Sequence, residues 1–308
     1  METHTPPKVR FLKNLPRTEP IIVDSTSMMT FKRCPRLYLY RIVLGFADKV
    51  VEPYFRFGSA YHKFREVLEI HHKAGASTNE CLEHAKNAAL ELFKKEGGNP
   101  PLDSKWSFMN EPRLFKSFMV AWERWVKEKE QGVIKVIAVE QPFILEMKDG
   151  TLRAGRADQM VSWRGDLWGR DWKTTSKELI YYDRNLEPNE QFTGYTWAEG
   201  KLQGRECKGQ IVDVLMNSKT KGPVVQTFTT TRSKEQLNWW EEDHAFWVQF
   251  MKYARENDHY PMQENSCTFC SFRRICSLTS ESAMMSDLRM YYKFQPWDCT
   301  KVSQGSEE

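Results

Sequence analysis

The chain has 308 residues, of which 40% are hydrophobic, and this length suffices for one large domain or two ordinary ones. It carries 45 Lys and Arg beside 41 Asp and Glu, and the formal net charge of +4 neither requires nor excludes a nucleic-acid partner. No run of about 18 apolar residues is present, and residues 1–14 lack an apolar signal core. These patterns exclude a membrane span, and we expect a soluble, intracellular protein of the cytoplasm.

The N-terminal half of the chain is predicted to be helical after a disordered or loosely packed tail over 1–24. Ser25 can cap a helix through Leu39, which Pro35 can interrupt. A Gly/Pro-rich break over 97–101 separates the last two of the helices that follow. These helices are predicted over 59–73, 79–95 and 111–131.

The pattern changes to strands in the middle of the chain, where Val and Ile become frequent and short turns contain Gly. Strands are predicted over 133–145, 151–163, 166–173, 210–216 and 224–230, and helices over 188–201 and 233–256. A cysteine-rich segment follows over 267–276, and 281–308 is predicted to be a C-terminal tail. This order predicts one α/β domain over 25–280 with a helical insertion at about 77–131.

Two aspartates lie on neighbouring predicted strands, Asp158 in Gly-Arg-Ala-Asp and Asp171 in Asp-Trp-Lys. The turn near Gly165 can bring both carboxylates together, and strand alternation places Asp171 and Lys173 on the same face. A divalent cation would relieve the repulsion between two carboxylates, and hard oxygen ligands suit Mg²⁺ or Mn²⁺. With a lysine beside them, these groups are typical of metal-assisted phosphodiester hydrolysis.

Two further elements can contribute polar groups to this constellation. His62 lies in a predicted helix, and neutral imidazole can join carboxylates on a divalent metal. Gln191 and Tyr195 are four residues apart and share one helix face, where an amide and a phenol could hold a phosphate or a base edge.

Three cysteines lie within ten residues as Cys267-x2-Cys270-x5-Cys276, a spacing that suits Zn²⁺ or an iron–sulfur cluster. A fourth ligand is needed, and His259 or Cys299 could complete a local zinc site. The two cysteines without partners in the sequence, Cys81 and Cys207, are expected to be structural.

The ordered set of motifs resembles the RecB-like or AddB-like exonuclease branch of the PD-(D/E)xK superfamily, and it is similar to the CRISPR-associated adaptation nucleases of that branch. The resemblance spans about 25–276, and the order and spacing of its motifs together make it specific. The residues that carry it are Cys34-Pro35-Arg36, Phe57-Gly58 with His62, Gly155-Arg156-Ala157-Asp158, Asp171-Trp172-Lys173, Gln191 with Tyr195, and the terminal cysteines.

The resemblance implies a restriction-endonuclease-like core, in which a mixed central sheet is flanked by helices. An N-terminal helical region and a C-terminal cysteine knuckle would complete the fold. It also implies that His62, Asp158, Asp171 and the backbone carbonyl of Trp172 bind Mg²⁺ or Mn²⁺.

The same resemblance assigns roles to the remaining motif residues. Lys173 would orient the attacking water, and Gln191 and Tyr195 would position the substrate. Glu140, on the first strand, corresponds to an accessory acidic residue. Cys34 would join Cys267, Cys270 and Cys276 on a structural 4Fe–4S cluster, with Zn²⁺ as the alternative.

Two positions depart from the family pattern, which has a branched apolar residue before each motif aspartate. Ala157 is only small, and Arg170 is charged. Arg170 leaves the depth of the second strand open, and it could instead reach a DNA phosphate.

The sequence therefore predicts a metal-dependent DNA nuclease, an exonuclease acting on single strands or DNA ends in repair or recombination. A G-x-x-x-x-G-K-[ST] phosphate loop is lacking, so a helicase or recombination motor would be a separate partner. Two alternatives remain: an inactive DNA-binding accessory subunit that keeps the fold, and a zinc-knuckle interaction protein. The combination of His62, Asp158, Asp171 and Lys173 favours the enzyme.

Overall fold

The computed structural model describes residues 22–299, which contain both helices and strands. The helices are α1 (Ser25–Arg33), α2 (Pro35–Tyr38), α3 (Pro53–Lys73), α4 (Thr78–Lys95), α5 (Glu111–Gln131), α6 (Glu190–Gln203), α7 (Lys234–Glu256), α8 (Arg273–Cys276) and α9 (Glu281–Tyr291). The strands are β1 (Ile22–Val23), β2 (Phe46–Asp48), β3 (Ile134–Glu146), β4 (Leu152–Trp163), β5 (Asp166–Thr175), β6 (Cys207–Met216), β7 (Val224–Thr231) and β8 (Tyr292–Phe294). None of the described helices combines the length and the apolarity needed to cross a membrane.

The contacts divide the described chain into two compact units, where the sequence predicted one domain. The terminal unit comprises 22–50, 144–155 and 235–299, and the central unit comprises 51–143 and 156–234. Each unit has its own cluster of buried apolar side chains. The division arises because the first and last segments of the chain share one core, separate from the core of the segments between them.

The central unit contains a mixed sheet, which confirms the predicted fold class. β3 pairs with β4, and β4 and β5 form the predicted antiparallel hairpin. β5 then runs parallel to β6, and β6 is antiparallel to β7. Parallel neighbours need a crossover connection, and α6 supplies it between β5 and β6.

Strand alternation sorts the side chains of β5 and β6 between two groups of helices. Trp172 and Leu215 belong to the core formed by α3, α4 and α5, where the rings of Phe64 and Phe118 stack 4.3 Å apart. Val212 and Val214 instead pack against Phe192 of α6 and its neighbours. Helices thus cover both faces of the sheet, as the resemblance implied.

The terminal unit joins the start of the chain to its cysteine-rich end. The buried side chains of Met28 and Phe31 on α1 share a core with Val248 of α7 and Phe272 beside α8. The Arg36 Nε donates a hydrogen bond to the Tyr260 carbonyl oxygen at 2.8 Å. These contacts bring segments more than two hundred residues apart in sequence into one core.

The structure corrects the predicted cap of the first helix, since Asp24 and not Ser25 accepts the capping hydrogen bond from the Ser27 N–H, and it revises both predicted tails. Pro35 does interrupt the first helix, because α1 ends at Arg33 and α2 starts at Pro35. Part of the predicted C-terminal tail is ordered: Ser280 caps α9, and β8 pairs with β2. Ile22–Val23 forms β1, which pairs in parallel with Leu152 and Arg153. The rest of the predicted tails, 1–21 and 300–308, lies outside the described residues.

Candidate active site and cysteine cluster

Asp158 and Asp171 face each other across the β4–β5 hairpin of the central unit. The backbone N–H of Trp172 donates a hydrogen bond to Asp158 Oδ2 at 3.1 Å. Burial, reinforced by the charge of Asp158, raises the pKa of Asp171 to about 6. Burial acts on Asp158 in the same sense, but the charge and hydrogen bond of His62 outweigh it and lower the pKa of that carboxyl. The hairpin therefore brings the buried carboxylate of Asp171 and the partly buried carboxylate of Asp158 into one electrostatic environment.

Lys173 is the charge partner of Asp171. Its Nζ lies 2.9 Å from Asp171 Oδ1 and 2.7 Å from Oδ2. Only the contact with Oδ1 has hydrogen-bond geometry, so the buried Oδ2 accepts no well-directed hydrogen bond. Burial lowers the pKa of Lys173, but the carboxylates of Asp171 and Asp158 raise it by more. The net pKa is above the ordinary value for lysine, and the ammonium stays charged. The predicted alternation is observed, because Trp172 points into the opposite, apolar core.

His62 reaches the same group of side chains from α3. Its Nδ1 lies 3.3 Å from Asp158 Oδ2, and a third of its side chain is exposed. Burial lowers the pKa of His62, but the charge and hydrogen bond of Asp158 raise it by more. Gly58, one turn earlier, allows α3 to approach β5 closely: a Cβ at this position would lie 3.2 Å from Thr174 Oγ1. This close approach places the imidazole beside the hairpin.

Gln191 and Tyr195 enter from α6 on the other side. The Gln191 Nε2 lies 3.5 Å from Asp171 Oδ1 and 3.3 Å from the Tyr195 hydroxyl. The side chain of Asn189 caps α6 by accepting hydrogen bonds from the backbone N–H groups of Gln191 and Phe192. Burial, with the two aspartates, raises the pKa of Tyr195, which keeps its phenol protonated. Both side chains are therefore available as hydrogen-bond donors next to Asp171.

Glu140 on β3 is also close to this group. Burial and the charge of Asp158 raise its pKa to about 7. Arg156 Nη1 binds Glu140 Oε2 at 3.0 Å, and this contact was not predicted. The backbone of Glu140 has φ +49°, in the left-handed region that a glutamate seldom occupies. Such strain is retained where the surrounding structure holds it, often at functional sites.

Arg170, the unusual residue before the second aspartate, is buried and does not reach outward to a phosphate. Its Nε lies 2.8 Å from Asp213 Oδ2, and its two terminal nitrogens bind Glu128 at 2.7 and 2.6 Å. The expectation that it could contact DNA is therefore wrong, because two carboxylates already satisfy the guanidinium inside the protein. The second strand is as buried as the family pattern requires, and Ala157 on β4 is buried as well.

In the terminal unit, the four cysteines named from the resemblance line one pocket. Cys34 lies between α1 and α2, and the other three, Cys267, Cys270 and Cys276, lie in and before α8. Burial raises the thiol pKa of Cys270 and Cys276, and the charge of Cys34 acts in the same sense on both. The two alternative ligands, His259 and Cys299, are not among the described residues that line this pocket.

The chemistry of both groups suits a bound metal, although the side chains would have to shift to hold one. Within residues 22–299, no three His, Cys, Asp or Glu side chains are already grouped tightly enough to bind an ion. In the central unit, a cation would supply the missing partner of the buried Asp171 Oδ2, and imidazole with carboxylates suits Mg²⁺ or Mn²⁺. In the terminal unit, four thiols around one pocket suit iron–sulfur or zinc.

Comparisons with known proteins identify related sequences and structures. The sequence profile that describes the PD-(D/E)XK nuclease superfamily matches residues 25–277. Among curated proteins, none matches the chain.

Two solved structures align with most of this chain. A "putative exonuclease" from Eubacterium rectale is 11% identical, with a TM-score of 0.51, over 84% of this chain and 89% of that one. The crystal structure of SSO0001 is 13% identical over 86% of this chain and 90% of that one, but its TM-score of 0.35 is too low to support an argument. At 11% identity, the similarity to the Eubacterium rectale protein shows a shared fold and nothing more.

Proposed function

This chain belongs to the PD-(D/E)XK nuclease superfamily, and we propose that it hydrolyses the phosphodiester bonds of DNA with the side chains gathered at the β4–β5 hairpin. The observation that carries the proposal is the convergence of His62, Asp158, Asp171 and Lys173 from three separate elements on one point. A fold-preserving protein without activity would have no physical need to keep a buried carboxylate and a partly buried one beside each other.

We assign the metal ligands to His62, Asp158, Asp171 and the backbone carbonyl of Trp172. A bound Mg²⁺ or Mn²⁺ would supply charge stabilisation at the phosphate and an activated water. Before any ion binds, Lys173 neutralises Asp171 and keeps one carboxylate of the pair compatible with burial. Glu140 is an accessory acidic group, which is paired with Arg156 and lies close enough to Asp158 for the charge of that residue to raise its pKa.

Three side chains would act directly on the substrate. Lys173 is charged and inside the site, so it can orient a water or offset the charge that grows on the phosphate. Gln191 and Tyr195 can donate hydrogen bonds to phosphate oxygens or base edges from α6. Because these donors belong to one capped helix, they keep a fixed spacing relative to Asp171.

For the terminal unit, we propose that Cys34, Cys267, Cys270 and Cys276 hold a 4Fe–4S cluster, with Zn²⁺ as the alternative. The support is the shared pocket and the mutual electrostatic influence of the thiols. Bound metal would stabilise this unit because it ties the N-terminal segment to the C-terminal one. Its role is structural.

The substrate is proposed to be single-stranded DNA or DNA ends, attacked exonucleolytically during repair or recombination, with a separate helicase as partner. The test is to incubate the protein with end-labelled single- and double-stranded DNA in Mn²⁺, Ca²⁺ or a chelator, and to read product lengths. We expect short products from single strands in Mn²⁺, little cleavage in Ca²⁺, and none with the chelator. Calcium has a larger and looser shell, which positions the attacking water less well.

The matched variants for that assay lie on the hairpin itself. Asp158→Asn should abolish cleavage, whereas Asp166→Asn should have no effect, because Asp166 is an exposed carboxylate at the turn end of β5. If the unmodified protein binds DNA but leaves it intact in Mn²⁺, the chain is instead an inactive DNA-binding subunit.

A further inference from the structure

An exposed group of aromatic side chains lies at the start of α3, outside the residues assigned above. The rings of Tyr54 and Phe55 are 4.4 Å apart, and the Tyr54 ring lies 5.3 Å from that of Trp106. More than half of the Phe55 side chain is exposed. Lys105 holds its Nζ 5.3 Å above the Trp106 ring. We call Tyr54, Phe55 and Trp106 the aromatic platform.

The aromatic platform shares a helix face with the candidate active site. Phe55 and His62 are seven residues apart on α3, which corresponds to two helical turns and a separation along the axis of about 10 Å. Ser59 lies between them on the same face and is only partly buried. A ligand that extends from His62 along this face would meet the Phe55 ring next.

Soluble proteins seldom expose several large aromatic rings together without a partner for them. Phe55 is backed by Tyr54, which is itself backed by Trp106, so the exposed ring is held in place before any ligand arrives. A rigid, exposed aromatic ring is typical of surfaces that stack unpaired nucleobases.

We propose that the aromatic platform binds an unpaired base of the nucleic-acid substrate, which stacks on Phe55. The phosphate next to this base then lies in the site beside His62 or is about to enter it. This inference rests on the proposed nuclease function and adds a substrate contact to it. Inside a duplex, both faces of a paired base are covered by its neighbours, so stacking on Phe55 away from an end requires an unpaired nucleotide. The aromatic platform would thus select single strands and unwound ends over intact duplex.

The charges around the aromatic platform indicate that stacking dominates its contribution. Lys105 is exposed and positive, but Glu52 and Asp103 are exposed and negative and lie close to the same segments in sequence. With these charges opposing one another, counterion release should contribute little here, in contrast to binding through phosphate contacts. The contribution of Phe55 to affinity should therefore be nearly independent of salt, while total binding still weakens as salt rises.

The experiment measures the KM and kcat of Phe55→Ala, Phe55→Trp and Phe115→Ala on labelled single-stranded DNA, single-stranded RNA and blunt duplex DNA. Phe115 is the matched control: it is 40% exposed, belongs to α5 of the same unit, and carries a lysine Nζ 5.3 Å above its ring. Binding is measured in parallel in Ca²⁺, with a fluorescent adenine analogue in the strand whose emission stacking quenches. Thermal melting verifies that each variant folds.

We expect Phe55→Ala to raise the KM for single-stranded DNA by roughly 5–150-fold with little change in kcat, the range implied by stacking of one base. Phe55→Trp should restore affinity and quenching, and Phe115→Ala should behave as the unmodified protein. A comparable loss on RNA would extend the ligand to both nucleic acids. If Phe55→Ala leaves KM and quenching unchanged, the platform does not bind the substrate and the proposal is overturned.

The binding measurement in Ca²⁺ tests this inference independently of the nuclease proposal. If the unmodified protein binds single strands without cutting them and Phe55→Ala weakens that binding, the platform stands and the nuclease proposal fails. If the protein cuts DNA and Phe55→Ala changes nothing, the nuclease proposal stands and the platform fails. A protein that neither binds nor cuts nucleic acid would overturn both.

Discussion

Glu199 on α6 is a buried carboxyl close to the candidate site. Its side chain is buried, and burial raises the pKa of this carboxyl to about 8 despite hydrogen bonds from Gln210 and Cys207. The Gln210 Nε2 donates to Glu199 Oε2 at 2.6 Å. A protonated carboxyl can accept this hydrogen bond without a net buried charge, and it adds no further negative charge to the site of Asp158 and Asp171. With a pKa of about 8, Glu199 is expected to be mostly protonated at pH 7.

The raised pKa of Glu199 predicts how stability depends on pH. Between the ordinary value of 4.5 and about 8, the folded protein keeps a proton that the unfolded chain has lost. The stabilisation that this group contributes is therefore complete below pH 4.5. It is lost as the pH rises from 4.5 to about 8, by up to ~1.4 kcal/mol per pH unit. Glu199→Gln should flatten this slope, and Glu206→Gln, at an exposed position, should not.

The measurement is the free energy of unfolding in urea at several pH values between 5.5 and 8 for the three proteins. An unchanged slope in Glu199→Gln would mean that Glu199 is ionised in the folded state.

At the scale of elements, the close approach of α3 to β5 sets the position of His62. A Cβ at Gly58 would lie 3.2 Å from Thr174 Oγ1, so this neighbour would have to move by a few tenths of an ångström. Glycine within a helix is unfavourable by about 1 kcal/mol relative to alanine, so Gly58→Ala should favour the helix itself. The same change should push α3 away from β5 and move the imidazole relative to Asp158.

We therefore expect Gly58→Ala to lower the cleavage rate several-fold without lowering the melting temperature. Thr174→Ala removes the opposing oxygen, so the double variant should recover most of the rate, and Thr174→Ala alone serves as the control. Kinetics of the three variants at saturating Mn²⁺ provide the test. Equal rates for Gly58→Ala and the unmodified protein would show that Thr174 rotates away and that the spacing is not critical.

The sequence predicted elements best where local signals were complete. α5 has the predicted bounds because Asn110 caps its first turn and Gly132 ends it in a left-handed conformation. The start of α3 was placed six residues too late, since the prediction relied on apolar spacing and overlooked Pro53 at the first helical position. α9 and β8 were missed because a short segment without a strong apolar pattern gains its structure from packing.

The sequence predicted which residues form the candidate site, but it did not predict the ion pairs around them. The motif spacing predicted that Asp158, Asp171, Lys173 and His62 meet. The pairing of Arg156 with Glu140 and of Arg170 with Glu128 and Asp213 joins residues from distant parts of the sequence. A single sequence contains no signal for such partners, because each depends on which strands and helices become neighbours.

At the scale of the whole molecule, each of the two units holds one of the two proposed centres. The cysteines lie in the terminal unit, where Cys34 and the segment 267–276 come from opposite ends of the chain. The residues of the candidate active site lie in the central unit. Loss of the cysteine centre should therefore affect stability first, because the metal would tie together segments that are distant in sequence.

We predict that the protein purified under anaerobic conditions is brown and contains iron. Cys276→Ser should bleach it and lower its melting temperature, because an incomplete ligand set loses metal-coupled folding energy. Cys299→Ser is the matched control and should retain the colour, since Cys299 is not among the described residues that line the pocket. A colourless, stable protein with one zinc per chain would replace the cluster with a zinc site.

The central claim is that Asp171 and Lys173 are a catalytic pair, and it predicts that the two fail differently when changed. Asp171→Asn removes a proposed metal ligand, so raised Mn²⁺ should recover part of the cleavage. Lys173→Ala removes a charge-stabilising group, so cleavage should fall by roughly 10²–10³-fold and no amount of Mn²⁺ should restore it. DNA affinity in Ca²⁺ should change little, because one lysine supplies a small share of the phosphate contacts.

The most direct measurement is thus the cleavage rate of end-labelled single-stranded DNA against Mn²⁺ concentration for the unmodified protein, Asp171→Asn and Lys173→Ala. The account predicts a curve shifted to higher Mn²⁺ for Asp171→Asn and a low, flat curve for Lys173→Ala. Cleavage by Lys173→Ala at the rate of the unmodified protein would contradict it and would reduce Asp171 and Lys173 to a buried salt bridge at the end of a strand.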